Sequence, residues 1–234
     1  MTVEKPKFLS VLDGITFAAV LISTGMVFFY TPMERSMGLV QKVFYFHVAA
    51  GWVGMLGFLL SLVAGIVYLR SHKVAWDRVG VAGVEIGLVF TLINVVTGMI
   101  WARPIWNTWW TWDPRLTTAT IMMLVYVAYL LLRQGIDEPE RRMRFGAVYA
   151  ILGFLSVPLT FLSIRIWRTI HPVVIGNGDP TATGSFSMTP PMALTFTISL
   201  VVFSILFVDI LWHRLRLGKL QDEVEQRKMQ VMES

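Results

Sequence analysis

The chain has 234 residues, of which 55% are hydrophobic and only 15% charged, against about 25% charged in an ordinary soluble domain. Too few polar side chains remain to cover a soluble domain of this size, so the composition excludes a disordered chain, a fibrous chain and an ordinary soluble enzyme, and points to a polytopic membrane protein. The net charge of +5 is accounted for by Lys and Arg in cytoplasmic loops and does not call for nucleic acid; the absence of cysteine excludes disulfides, Fe–S clusters, thiolate zinc sites and covalent c-type haem attachment to this chain.

A hydrocarbon core of about 30 Å needs about 20 helical residues to cross it. Six apolar stretches meet that requirement, at 11–30, 43–69, 79–101, 116–132, 146–164 and 192–212. The expected fold is therefore all-α: one six-helix transmembrane domain occupying 1–234. The first stretch follows Lys5 and Lys7 and ends in Phe28-Phe29-Tyr30-Thr31-Pro32, with no small-residue cleavage pattern, so it reads as a retained helix. Pro158 inside the fifth stretch predicts a kink there.

Six spans put both termini on one side. Arg35, Lys42, Arg103, Arg115, Arg165 and Arg168 fall in the loops of one face, and the remaining 14 of the 20 Lys and Arg residues fall on the other. By the positive-inside rule the richer face is cytoplasmic and holds both termini. The outer loops are then 31–42, a tryptophan-rich segment at about 101–117, and a long segment at about 165–191. The charged connector 133–145 and the mixed-charge tail at 219–228, expected as a short solvated helix, carry no catalytic signature. No GxxxxGK phosphate loop, GxGxxG fingerprint or nucleophile elbow occurs, so the chain is not expected to be an ATPase by itself.

The outer face carries the functional signal. Five of the chain's nine tryptophans, Trp101, Trp106, Trp109, Trp110 and Trp112, lie within twelve positions. An interfacial belt spreads one or two aromatics over each of several helix ends; a single cluster instead offers a stiff apolar platform for a planar ligand. In a helical segment Trp106, Trp109 and Trp110 would share a face, while Asp113 before Pro114 is suited to ending or capping a turn.

Of the four histidines, His72 and His213 fall at inner ends. His47 and His171 fall on the outer side, beside the platform. Neutral imidazole is a common ligand for haem iron, and two close its axial positions. His47, His171 and Asp113 are also a possible zinc set, which would leave the indoles without a purpose. Arg115, Arg165 and Arg168 are the cations nearest these ligands, suited to holding the two carboxylates at the edge of a haem. The long third loop, with Gly176-Asn-Gly-Asp-Pro and Thr-Ala-Thr-Gly-Ser, is expected to cover the site. Glu85 and Asn94 inside the third span, and Asp13 and Asp209 near cytoplasmic ends, are intramembrane polar groups of the kind that mark packing, partner or transport roles.

The stretch Trp106-Asn-Thr-Trp-Trp-Thr-Trp-Asp-Pro-Arg-Leu-Thr117 resembles the tryptophan-rich WWD signature of haem-handling membrane proteins. Together with six spans, His47 in Phe44-Tyr-Phe-His47-Val, and His171-Pro172, the chain resembles the CcmC family of cytochrome c maturation; CcmF and CcsA share the motif but are generally larger. Asn107 stands where that motif is expected to carry glycine. The resemblance implies haem b held at the outer face of the bacterial inner membrane, with His47 and His171 as axial ligands. It implies delivery to the haem chaperone CcmE, and a complex with the ABC transporter subunits CcmA and CcmB and the small membrane protein CcmD. It implies no enzyme in the strict sense, since the covalent chemistry belongs to haem and its acceptor. Two other readings stand beside it: a permease subunit moving haem or another small solute along a path of Glu85, Asn94 and Pro158, and a membrane electron carrier, which would need more embedded histidines.

Overall fold

The structure, a computed structural model, describes residues 5–35, 37–172 and 187–232. They form seven α-helices in six segments long and apolar enough to cross a membrane. Helix α1 (Lys7–Gly25) ends in a π-helical turn, Met26–Tyr30; α2 (Val43–Ser71) follows a 3-10 turn, Leu39–Lys42; then come α3 (Val74–Trp106), α4 (Pro114–Gln134), α5 (Pro139–Gly153), α6 (Ser156–Ile166) and α7 (Pro190–Met232). No strand is present among the described residues.

The scaffold is the α2–α3 hairpin. His72 adopts a left-handed conformation (φ 53°) that stops α2, and α3 starts two residues later. Glycines then let the two backbones touch. A Cβ on Gly57 would fall 2.5 Å from the Gly83 carbonyl oxygen, and one on Gly83 would fall 2.6 Å from that of Gly57. Lipid supplies no hydrophobic drive between helices, so close backbone packing through small residues is what holds such a pair together. Phe58 of α2 stacks on Tyr126 of α4, with ring centroids 3.7 Å apart, within a cluster that includes Val84, Met122, Tyr129, Ala150 and Val157. Helix α7 joins α1 through Ser23–Ser199 (3.2 Å), and its Thr195 accepts from Thr31 (2.9 Å).

Ion pairs gather at the end of the bundle that carries both termini. Arg133 holds Asp77 by two bonds of 2.7 Å, Arg214 pairs with Glu85, and Arg78 pairs with Asp222. The Arg214–Glu85 pair packs α7 against α3. At the opposite end the helix ends open around a cavity.

Three element bounds differ from those read off hydropathy. The third span extends to Trp106: Pro104 removes the N–H that would bond the Ile100 carbonyl, and α3 ends two residues beyond it. The fifth is two helices: Pro158 cannot donate to Phe154, and the chain breaks between Gly153 and Ser156. The sixth runs without interruption through the charged tail, so the expected short helix at 219–228 is the end of α7. At about 1.5 Å per residue, the 43 residues of α7 are far longer than a bilayer is thick. The glycine-rich part of the third outer loop lies outside the described residues.

Candidate functional site

His47 stands one turn into α2 and meets α3 across the hairpin. Its Nδ1 lies 2.8 Å from the main-chain carbonyl of Asn94 and 3.3 Å from the Thr97 hydroxyl. A carbonyl only accepts, so Nδ1 carries the proton and Nε2 is left with its lone pair. The Asn94 side chain donates back to the His47 carbonyl at 2.7 Å; its approaches to the two ring nitrogens, 3.3 and 3.4 Å, are longer. Gly98 makes room for the ring, since a Cβ there would sit 2.9 Å from His47 Cε1.

His171 lies beyond the end of α6, outside any helix. Its Nδ1 donates to the Pro172 carbonyl at 3.0 Å, which again leaves Nε2 bare. Burial, then the nearby positive charge of Arg115, push its pKa down to about 3, so the ring is neutral. The His47 and His171 ring centroids are 6.5 Å apart with planes 32° from parallel, and Trp106 lies 6.4 Å from His171 at 67°. Both imidazoles border one cavity of about 400 Å³, within the range of small-molecule and cofactor pockets.

The tryptophans reach that cavity in two ways. Trp101 and Trp106 come from the last turns of α3 and pack edge to face at 5.2 Å. Asn107 then turns the chain with φ 57°, held by Arg103, whose guanidinium donates to the Asn107 carbonyl at 2.9 Å. A left-handed residue is the reason glycine suits this position, and asparagine is the side chain that tolerates it best. Residues 107–113 are not helical, so the shared helical face ends at Trp106; Trp109 and Trp110 nonetheless line the cavity from the loop.

Arg115 and Phe161 close the far wall. The Arg115 guanidinium lies 4.8 Å from the Phe161 ring centre and donates to the Thr160 carbonyl. The residues singled out in the sequence thus separate into two groups. His47, His171, Trp106, Trp109, Trp110 and Arg115 line one cavity. Trp112, 74% exposed, and Arg165 and Arg168, both exposed, lie outside its wall. Asp113 also lies outside it: it caps α4 by accepting from the Arg115 backbone N–H at 2.9 Å, and takes further bonds from the His171 segment. Sequence reasoning did not find Gly98, Trp52 or Phe161 as cavity residues. Asn94 was visible as an intramembrane amide, and its spacing of four from Gly98 is the signal that could have linked both to His47.

A family model described as Heme exporter protein C matches residues 3–230. Among curated relatives, the Heme exporter protein C of Rhodobacter capsulatus is 31% identical over 227 residues, covering 95% of this chain and 90% of the relative. That of Bradyrhizobium diazoefficiens is 27% identical over 202 residues, covering 86% and 73%. That of Escherichia coli K12 is 29% identical over 156 residues, covering 66% and 64%.

Proposed function

From the premise that the chain belongs to the Heme exporter protein C family, we propose that it holds haem b as cargo in the cavity between His47 and His171 and passes it to a haem chaperone of the CcmE type for cytochrome c maturation. The observation that carries this reading is the pair of imidazoles. Two nitrogen–metal bonds of about 2 Å each, plus one ring radius on either side, require ring centres about 6 Å apart; these rings are 6.5 Å apart, and each has Nδ1 tied to a carbonyl. Anchoring the second nitrogen is how proteins set a metal-binding histidine's tautomer and orientation. A zinc set with Asp113 is disfavoured, because both carboxylate oxygens are engaged by the His171 segment and the α4 cap.

The roles of the other groups follow from their positions. Trp106, Trp109 and Trp110 supply flat apolar walls. Arg115 faces the haem carboxylates from within the cavity, and Arg165 and Arg168 are suited to the rim. The charge bias supports this end on the periplasmic side of the bacterial inner membrane, with both termini in the cytoplasm. The protein orients haem and does not itself catalyse attachment. Its partners are the CcmA and CcmB ABC transporter subunits and CcmD. The polar residues that a permease path would use are already engaged, Glu85 by Arg214 and Asn94 by His47.

The test is to purify the protein from haem-replete cells and incubate it with the apo chaperone. Wild type carries a Soret absorbance that moves to the chaperone on gel filtration. A His47→Ala/His171→Ala double variant that stays fully loaded would contradict the proposal.

A further inference from the structure

The two histidines are fixed by different means. His47 belongs to a long helix and is clasped by its neighbour. His171 belongs to a short non-helical stretch, 167–172, which is tied to Asp113 at the start of α4. Thr169 Oγ1 donates to Asp113 Oδ1 at 2.6 Å, and the Ile170 N–H donates to Asp113 Oδ2 at 2.9 Å. The Thr169 hydroxyl in turn accepts the His171 N–H at 3.0 Å. One carboxylate, itself fixed by capping α4, therefore receives the polar tether of the segment, and one hydroxyl relays it to the histidine backbone.

A tether of this kind can be opened without unfolding anything. Among the described residues its polar bonds to α4 run through Asp113, whereas freeing His47 would mean separating α2 from α3, whose backbones touch. The outlying position of Asp113, beside the cavity and not in its wall, has the same explanation: it holds the segment and not the ligand. We infer that Asp113 and Thr169 form a latch that sets whether His171 engages the haem iron, so that cargo is held by two imidazoles with the latch closed and by His47 alone with it open. This inference rests on the proposed haem reading. Thr169 is a positioning residue in it, acting through His171, and release by loss of one axial ligand follows from the unequal anchoring of the two.

The experiment uses the full-length protein purified with haem and reads iron coordination by visible and electron paramagnetic resonance spectra. Thr169→Val keeps the shape and removes the hydroxyl; Thr169→Ser keeps the hydroxyl. Expected is a six-coordinate low-spin spectrum in wild type and Thr169→Ser. Thr169→Val and His171→Ala should share a high-spin five-coordinate component that added imidazole converts back to low spin. Haem affinity of Thr169→Val should fall about 10-fold to 100-fold, as for other residues that orient a metal ligand, and combining it with His171→Ala should add nothing. A Thr169→Val spectrum identical to wild type, while His171→Ala changes, would overturn the latch alone. A His171→Ala spectrum identical to wild type would overturn the ligand assignment and the latch with it.

Discussion

Gly98 and His47 are fitted to one another: the imidazole lies where a Cβ on Gly98 would come within 2.9 Å of Cε1 and 3.3 Å of Nδ1. The missing methyl is what allows the ring to pack against α3 with Nδ1 on the Asn94 carbonyl. Gly98→Ala should therefore spare the helix, where alanine is favoured over glycine by up to about 1 kcal/mol, and displace the ring. The expected result is unchanged helical content by circular dichroism with about 10-fold to 100-fold weaker haem binding by titration. Binding equal to wild type would show that the ring can shift without consequence.

The α2–α3 contact predicts a sharp difference among glycines. Gly57→Ala puts a methyl 2.5 Å from the Gly83 carbonyl oxygen and 2.8 Å from Gly87 Cα, and backbone cannot step aside as a side chain can. A loss of about 1–3 kcal/mol is expected from such overpacking. Gly14→Ala, inside α1 with nothing within 4 Å of the new atom, should cost nothing and stabilise by up to about 1 kcal/mol. Thermal melts of the detergent-solubilised protein compare the two.

Arg115 is the cation within the cavity wall, and its contribution should depend on the carboxylates of the ligand. Arg115→Ala is expected to weaken haem binding by about 10-fold to 100-fold, the size of a hydrogen bond to a charged group. Haem dimethyl ester, which lacks the charges, should bind wild type and variant alike. Arg165→Ala/Arg168→Ala, outside the wall, should change binding less than Arg115→Ala.

The pH dependence follows from His171. A free imidazole titrates near 6.5, whereas burial and Arg115 bring this one down to about 3. A lowered pKa in a base means that the docked ring is fully favoured above pH 6.5, and that docking loses stability as pH falls from there toward 3. Because the apo ring is already neutral, haem affinity is expected to stay flat from about pH 8 to well below 6.5 and to weaken only in more acid solution. A titration midpoint near 6.5 would mean a solvated, undocked histidine.

Much of the fold was legible because a bilayer demands about 20 apolar residues per crossing, and that demand is written in composition. The helix ends were less legible. Trp106 read as loop because Arg103 and Pro104 interrupt the hydropathy, yet α3 continues past both to Trp106. The candidate site was legible as types of residue, imidazole, indole and guanidinium, on one face. What could not be read was which of them share a wall. Asp113 is adjacent to the tryptophans in sequence, but its carboxylate points to Thr169 and Ile170, a pairing across distant segments that no local spacing encodes. Gly98 was equally silent, since a glycine announces a close approach only when its neighbour is known.

The most direct measurement of the central claim is the axial ligation of the bound iron, read by low-temperature electron paramagnetic resonance on haem-loaded wild type, His47→Ala and His171→Ala. The account predicts a bis-imidazole low-spin signal in wild type and its loss in each single variant, with external imidazole restoring it. A wild-type signal without imidazole ligation, or one that survives both single substitutions unchanged, would contradict it.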